Sequence, residues 1–267
     1  MLNFNEYRLL DVGGTYIKCA DGRQVSISSN GSREVISAAF RKAIGPTKGL
    51  KGIGVAIPGP FDYQKGIFRM EHKFQAVKDG SFRDLINVPS DIPIRYHHDV
   101  NVLLRGAIRM LGLQEGITAL VTLGTGLGFS FALDGEVQYN AMGSPARNLW
   151  NLPLKSGILE NVVSARGISI AYAQKTGDGS QSAFSVAQKA YRGDAAALEV
   201  YNRVGTLLGK ALQDVSKDIP FTTLLVGGQI AKSLSLMQRP LQEALDHVSI
   251  LHAPQDAVFE GLSSLFE

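Results

Sequence analysis

A chain of 267 residues with 45% hydrophobic and 19% charged side chains has the length and apolar content for one large or two moderate packed domains, and lies outside the disordered class. A formal net charge of only +3, with the basic residues scattered, excludes the electrostatic footprint of a nucleic-acid binder. The one cysteine, Cys19, excludes an intrachain disulfide framework and reads as a small buried residue.

Asn3, Asn5, Glu6 and Arg8 interrupt any early apolar run, so no signal peptide is expected. Strands are predicted near Tyr7–Val12, Tyr16–Ala20 and Gln24–Ser28, as an antiparallel meander. The first two flank Asp11-Val12-Gly13-Gly14-Thr15. This order of residues fits a phosphate-binding hairpin: glycines leave no side chain between backbone N–H groups and an anion, Thr15 adds a hydroxyl donor, and Asp11 can hold hydrated Mg²⁺. Taken alone it fits an ordinary tight hairpin equally well. A helix is predicted from Ser32 to about Ile44, with Val35, Ile36, Ala39, Phe40 and Ala43 on one face. Lys51–Ile57 reads as a buried strand stopped by Pro58-Gly59-Pro60, and Ile94–His97 as a short strand. From Val100 an amphipathic helix runs through Leu103, Leu104, Ala107, Ile108 and Leu111 to Gly112. Asp99, where strand meets helix, sits where an Asp is usually an N-cap, and from the same place a side chain can project into a cleft.

The stretch 116–133 is long enough to span a bilayer but too rich in glycine and threonine for a helix. It reads as a strand, a Gly124-Thr125-Gly126 turn and a second strand. An irregular stretch then leads to helices near Leu159–Lys175, Ala183–Tyr191 and Ala195–Ser216. Thr222–Val226 is a buried strand ending in Gly227-Gly228, followed by helices near Ile230–Leu236, Leu241–His247 and Val258–Phe266. Strands, glycine turn and helix therefore occur once in each half. The layout predicts two lobes, 1–115 and 116–267, with the terminal helix at 258–267 able to pack back on the first. The protein is expected to be cytoplasmic, with no membrane or nucleic-acid partner.

The hairpin from Asp11 to Lys18, the run Gly52 to Asp62, His98-Asp99-Val100-Asn101, Gly124-Thr125-Gly126, Gly157-Ile158-Leu159-Glu160 leading to Ser164-Ala165-Arg166, Gly193-Asp194 and Val226-Gly227-Gly228 together resemble the ROK family of repressors, open reading frames and sugar kinases. The resemblance implies an α/β fold: two-lobed, actin-like ATPase (ribonuclease H-like) domains around a nucleotide cleft. It implies ATP and Mg²⁺ as cofactors and a small sugar as substrate. Asp99 is then the general base, Asp11 positions Mg²⁺, and Gly13, Gly14, Thr15, Gly124, Thr125 and Gly126 hold phosphates. Gly227 and Gly228 face the adenosine, Gly59 edges the sugar site, and Glu160 is the sugar-contacting acid. Members are commonly dimers.

Departures from the pattern fall on the sugar side. Many members carry Glu-x-Gly-His where this chain has Asn148-Leu149-Trp150-Asn151, and His98 replaces the asparagine before the catalytic aspartate. His98 can donate to the sugar, tune Asp99 or simply end a strand; Trp150 can stack on a sugar or belong to the core. The cysteine-rich zinc loop has become Leu154-Lys155-Ser156-Gly157, and His72, His97, His98, His247 and His252 lack ligand spacing, so no structural zinc is expected. Lys18 and Asn101 read as near-site residues or as local surface and helix contacts. Two readings follow: a sugar kinase with an unusual acceptor, or a binding protein that has lost turnover. A repressor of the family's usual kind needs an N-terminal helix-turn-helix, for which a first strand at Tyr7 leaves no room.

Overall fold

The early apolar runs build the middle of a sheet. In the computed structural model, which describes residues 6–155 and 157–267, β1 (Tyr7–Val12) pairs antiparallel with β2 (Tyr16–Cys19), and β2 with β3 (Gln24–Ser26). Helix α1 (Arg33–Ile44) starts at Ser32, whose hydroxyl accepts from the Val35 N–H, and buries Ile36, Ala39, Phe40 and Ala43. β4 (Gly52–Ile57), buried along its whole length, joins β1 in parallel. A ribbon of β5 (Phe61–Asp62) and β6 (Ile67–Phe68), then α2 (Phe82–Ile86), lead to β7 (Ile94–His98), parallel to β4. The sheet order is β3-β2-β1-β4-β7, and α3 (Asp99–Leu111) leaves β7 directly.

The same order is then built again. β8 (Ile117–Leu123) and β9 (Leu127–Leu133) form a hairpin, followed by β10 (Glu136–Val137) and a ribbon of β11 (Pro153–Leu154) and β12 (Gly157–Ile158). Four helices follow: α4 (Glu160–Val163), α5 (Ala165–Thr176), α6 (Ala183–Tyr191) and α7 (Ala195–Ser216). β13 (Thr223–Gly227), α8 (Gln238–Ala244) and β14 (Ser249–His252) complete a sheet of order β10-β9-β8-β13-β14, in which β8, β13 and β14 run parallel. Each sheet thus sets an antiparallel hairpin beside parallel strands that need crossovers, and the helices supply them.

The described residues up to Gly112, with Val137–Ala146 and Gln255–Glu267, form one compact unit; Leu113–Glu136 with Arg147–Pro254 form another. Within the first, α9 (Ala257–Ser263) crosses α3 at glycines. A Cβ on Gly106 would lie 1.7 Å from the Ala257 carbonyl oxygen, and one on Gly261 2.0 Å from that of Val102. Cys19 is buried, as expected.

The helix expected over Leu159–Lys175 is in fact two. Ser164 is extended, its hydroxyl accepts the Gly167 N–H to start α5, and Gly167 packs against the Asn161 and Val162 carbonyls of α4, where no side chain fits. β14 was not expected; its residues are half-exposed or exposed, so the apolar signal of a buried strand is weak.

Candidate functional site

In the first unit the predicted residues meet at the C-terminal ends of its parallel strands. Register places Asp11 beside Ala56, Ala56 beside His97 and Ile57 beside His98, so Asp11, the Pro58-Gly59-Pro60 turn and Asp99 lie in one row. That edge is where open α/β sheets bind ligands. The β1–β2 turn is closed by the Gly13 N–H donating to the Tyr16 carbonyl at 2.9 Å. The carbonyls of Gly14 and Thr15 are taken by the Ser29 and Ile27 N–H groups, while among the described residues the Gly14 and Thr15 N–H groups have no acceptor. Two adjacent free donors at an exposed glycine turn suit an anion. Lys18, the cross-strand partner of Asp11, places its ammonium 3.5 Å from the Asp11 carboxylate. Burial raises Asp11 above the usual carboxylate range, with Lys18 opposing and the Asp99 charge adding to the rise.

Asp99 opens α3 with its side chain 34% exposed. His98 Nδ1 lies 2.9 Å from Asp99 Oδ1, and the Val100 N–H is 2.8 Å from Oδ1 but 3.3 Å from Nδ1. The short pairing identifies Nδ1–H as a donor to the carboxylate, because an unprotonated nitrogen would repel that oxygen. Both bonds end on Oδ1, so Oδ2 is open among the described residues. Burial raises the Asp99 pKa, but the His98 charge and hydrogen bond, the Val100 N–H and the Lys73 ammonium outweigh it and hold the group below the usual range. A Cβ on Gly59 would face His98 Cδ2 at 3.6 Å and Tyr63 Oη at 3.4 Å, and the Tyr63 hydroxyl donates to the Ile57 carbonyl. Asn101 donates to the Gly143 carbonyl, tying α3 to the 137–146 segment.

In the second unit the Gly124 N–H donates to the Gly126 carbonyl at 3.0 Å, and Thr125 and Gly126 keep N–H groups with no acceptor among the described residues. Glu160 reaches this turn from α4: its Oε2 accepts the Leu127 N–H at 2.8 Å and lies where a Gly126 Cβ would be, 2.8 Å away. The Ala165 N–H donates to the Gly124 carbonyl, so the start of α5 closes the other side. Gly227 pairs with Thr122, and Gly228 (φ +86°) packs so closely that a Cβ would sit 2.3 Å from the Leu123 carbonyl oxygen. The second and third glycine sites are therefore one surface.

These elements belong to a known family: a model of the ROK family matches residues 9–146. The chain belongs to the ROK family. It is 23% identical to the glucokinase of Halalkalibacterium halodurans over 94% of this chain and 88% of that one. It is 24% identical to the N-acetylmannosamine kinase of Yersinia pseudotuberculosis, over 86% and 85%. A ROK family glucokinase from Streptomyces griseus, solved with glucose and AMPPNP, superposes with a TM-score of 0.79 at 19% identity, covering 96% of this chain and 97% of that one. The two sheets are thus those of the actin-like ATPase fold of ROK proteins.

Where this ROK chain departs from the family pattern, Asn148 and Asn151 are exposed with no hydrogen bond among the described residues. Trp150, for which the core was one expectation, is 44% exposed because Leu149 takes the buried position beside it. Sequence reasoning missed Lys73, whose side chain crosses Gly14, and Tyr63. A lysine in an irregular loop and a tyrosine after a turn carry no local signal. A cavity of about 750 Å³ between α7 and the β11 segment, lined by Leu154, Leu159, Arg203, Leu207 and Lys210 among others, contains none of the predicted site residues.

Proposed function

We propose that the protein is an ATP-dependent kinase that phosphorylates a hydroxyl of a hexose or amino sugar. The observation that carries the reading is Asp99: one carboxylate oxygen is fixed by two donors and the other is open, in the same row as a glycine hairpin with free N–H groups. The names of the two curated relatives support a sugar as acceptor.

In this reading Asp99 Oδ2 accepts the proton of the sugar hydroxyl as that oxygen bonds to the γ-phosphorus. The bond from γ-phosphorus to the bridging oxygen breaks, and its electron pair leaves with ADP. The His98 and Val100 donors keep the carboxylate ionised and oriented. Gly14 and Thr15 in the first unit, and Thr125 and Gly126 in the second, offer N–H donors to phosphate oxygens, on turns that the Gly13 and Gly124 N–H groups close. Gly227 and Gly228 present bare backbone to the adenosine. Asp11 fits a Mg²⁺ holder: a carboxylate 24% exposed beside free N–H groups matches the habit of Mg²⁺, which binds one or two carboxylates with phosphates and water. When bound, Mg²⁺ neutralises phosphate charge. No structural zinc is part of the reading.

Gly59, His98, Asn148, Asn151 and Glu160 are assigned to the acceptor. Asparagine both donates and accepts where a glutamate only accepts, so the favoured sugar differs from plain glucose. A coupled assay of ADP release with Mg·ATP across hexoses, amino sugars and N-acetylated sugars tests both points. Turnover with a sugar other than glucose ranking first in kcat/KM supports them. A second reading, binding without turnover, is favoured by the asparagine pair, and tight Mg·ATP binding with no turnover on any sugar selects it.

A further inference from the structure

Lys73 lies in an irregular stretch between β6 and α2, yet its position is tightly defined. The next residue, Phe74, is fully buried in a left-handed conformation (φ +55°) that non-glycine residues avoid. Packing holds it there: its ring stacks on Phe40 at 6.1 Å and tilts against Phe68 at 5.6 Å. Ser29 then links this loop to the phosphate hairpin. Its N–H donates to the Gly14 carbonyl, and its own carbonyl accepts the Phe74 N–H at 2.6 Å. The result is a lysine side chain laid across Gly14, with Cε 3.6 Å and Cδ 3.8 Å from where a Gly14 Cβ would be. Lys73 makes no ion pair or hydrogen bond among the described residues. The Asp11 carboxylate is matched instead by Lys18, and that of Asp99 by His98.

Resting on the kinase reading, we propose that Lys73 is a catalytic residue that binds the transferring γ-phosphoryl group over the Gly14 turn. A cation aimed where three equatorial oxygens share the negative charge stabilises that group more as it detaches from ADP, and it moves no proton. Its charge also helps to hold the Asp99 carboxylate below the usual range. The lysine stem lies at ordinary contact distance from the Cβ position of Gly14, so it rests on the turn without crowding it.

The test compares Lys73→Met and Lys73→Arg with the parent chain in two measurements. One is kcat with the best sugar of the ADP-release screen; the other is the ratio of ATP to ADP affinity by calorimetry in Mg²⁺. Lys73→Met is expected to lower kcat about 100-fold or more, and to bring ATP affinity down towards that of ADP while leaving ADP affinity and the sugar KM unchanged. Lys73→Arg restores part of both. An unchanged kcat together with an unchanged ATP/ADP ratio overturns the proposal. So does a loss confined to sugar KM, which would make Lys73 a reader of the acceptor. If the parent chain transfers nothing to any sugar, the kinase reading fails, but a collapsed ATP/ADP ratio in Lys73→Met still establishes the γ-phosphoryl contact.

Discussion

The two glycine turns, Gly13-Gly14-Thr15 and Gly124-Thr125-Gly126, occupy the same place in two sheets of the same strand order, yet they are held in different ways. The first carries its charges on its own strands: Asp11 and Lys18 face each other across the ladder, seven residues apart in sequence. The second has none, and borrows a carboxylate from Glu160, which accepts the Leu127 N–H from thirty-three residues away. The first is open on the side where a Cβ would point, with 3.5 Å to Ser29 Oγ and 3.6 Å to Lys73. In the second, a Cβ on Gly126 would meet Glu160 Oε2 at 2.8 Å, and Gly228 packs against the Leu123 carbonyl where the turn begins. A hairpin that brings its own carboxylate can supply a metal holder. One buttressed from outside supplies only N–H groups, and its geometry depends on the helix behind it.

The largest expected effect belongs to the first unit. Asp99→Asn should lower kcat about 100-fold or more, the usual scale for a general base, with ATP affinity nearly unchanged by calorimetry. Near-normal turnover would shift the chemistry away from that strand edge. The turns should also respond differently to alanine. Gly228→Ala, at positive φ and against the Leu123 carbonyl, should cost about 1–3 kcal/mol in urea unfolding, whereas Gly14→Ala should be within about 0.5 kcal/mol of the parent. Equal losses at both would mean that the turns are packed alike.

Glu160→Ala should free the Leu127 N–H and loosen the second turn, weakening nucleotide binding about tenfold, as expected for loss of a hydrogen bond to a charged group. Glu160→Gln, which keeps an acceptor, should recover most of it. A rise in sugar KM alongside the weaker nucleotide binding marks the other Glu160 oxygen as the acceptor contact; a rise in sugar KM alone means that the turn holds without the Leu127 bond.

The smallest effect separates the two carboxylates of the first unit by sign. Asp11 titrates above its unfolded value, so its ionised form costs stability at neutral pH. Asp11→Asn should raise the melting temperature at pH 7, and the advantage should vanish as pH falls through the raised pKa. Asp99 titrates below its unfolded value, so its contribution is present above about pH 4, the unfolded pKa, and is lost as pH falls through the lower folded one. Asp99→Asn should therefore destabilise at pH 7. The same direction of change in both variants would contradict these environments.

The local elements were readable because their signals act over a few residues. Ser32 and Ser182 cap helices through bonds to N–H groups three positions on, and the strands carry buried apolar runs around glycines. Family membership was legible for the same reason, since its pattern consists of such turns in order. The break at Ser164 was hidden, because both flanking stretches suit a helix and only the packing of Gly167 against α4 forbids one. The edge strand β14 was hidden by its exposure.

What the amino-acid order determined by itself is the placement of each glycine turn, the strands around it and the residues with chemistry beside them. Only the tertiary structure decided that Glu160 turns onto the Leu127 N–H, that Asp99 keeps one oxygen open while His98 holds the other, and that a left-handed Phe74 lays Lys73 across Gly14. Backbone propensity and capping are settled within one turn of chain. Which side chain meets which across thirty or more residues depends on how apolar faces pack, and that is a property of the whole core.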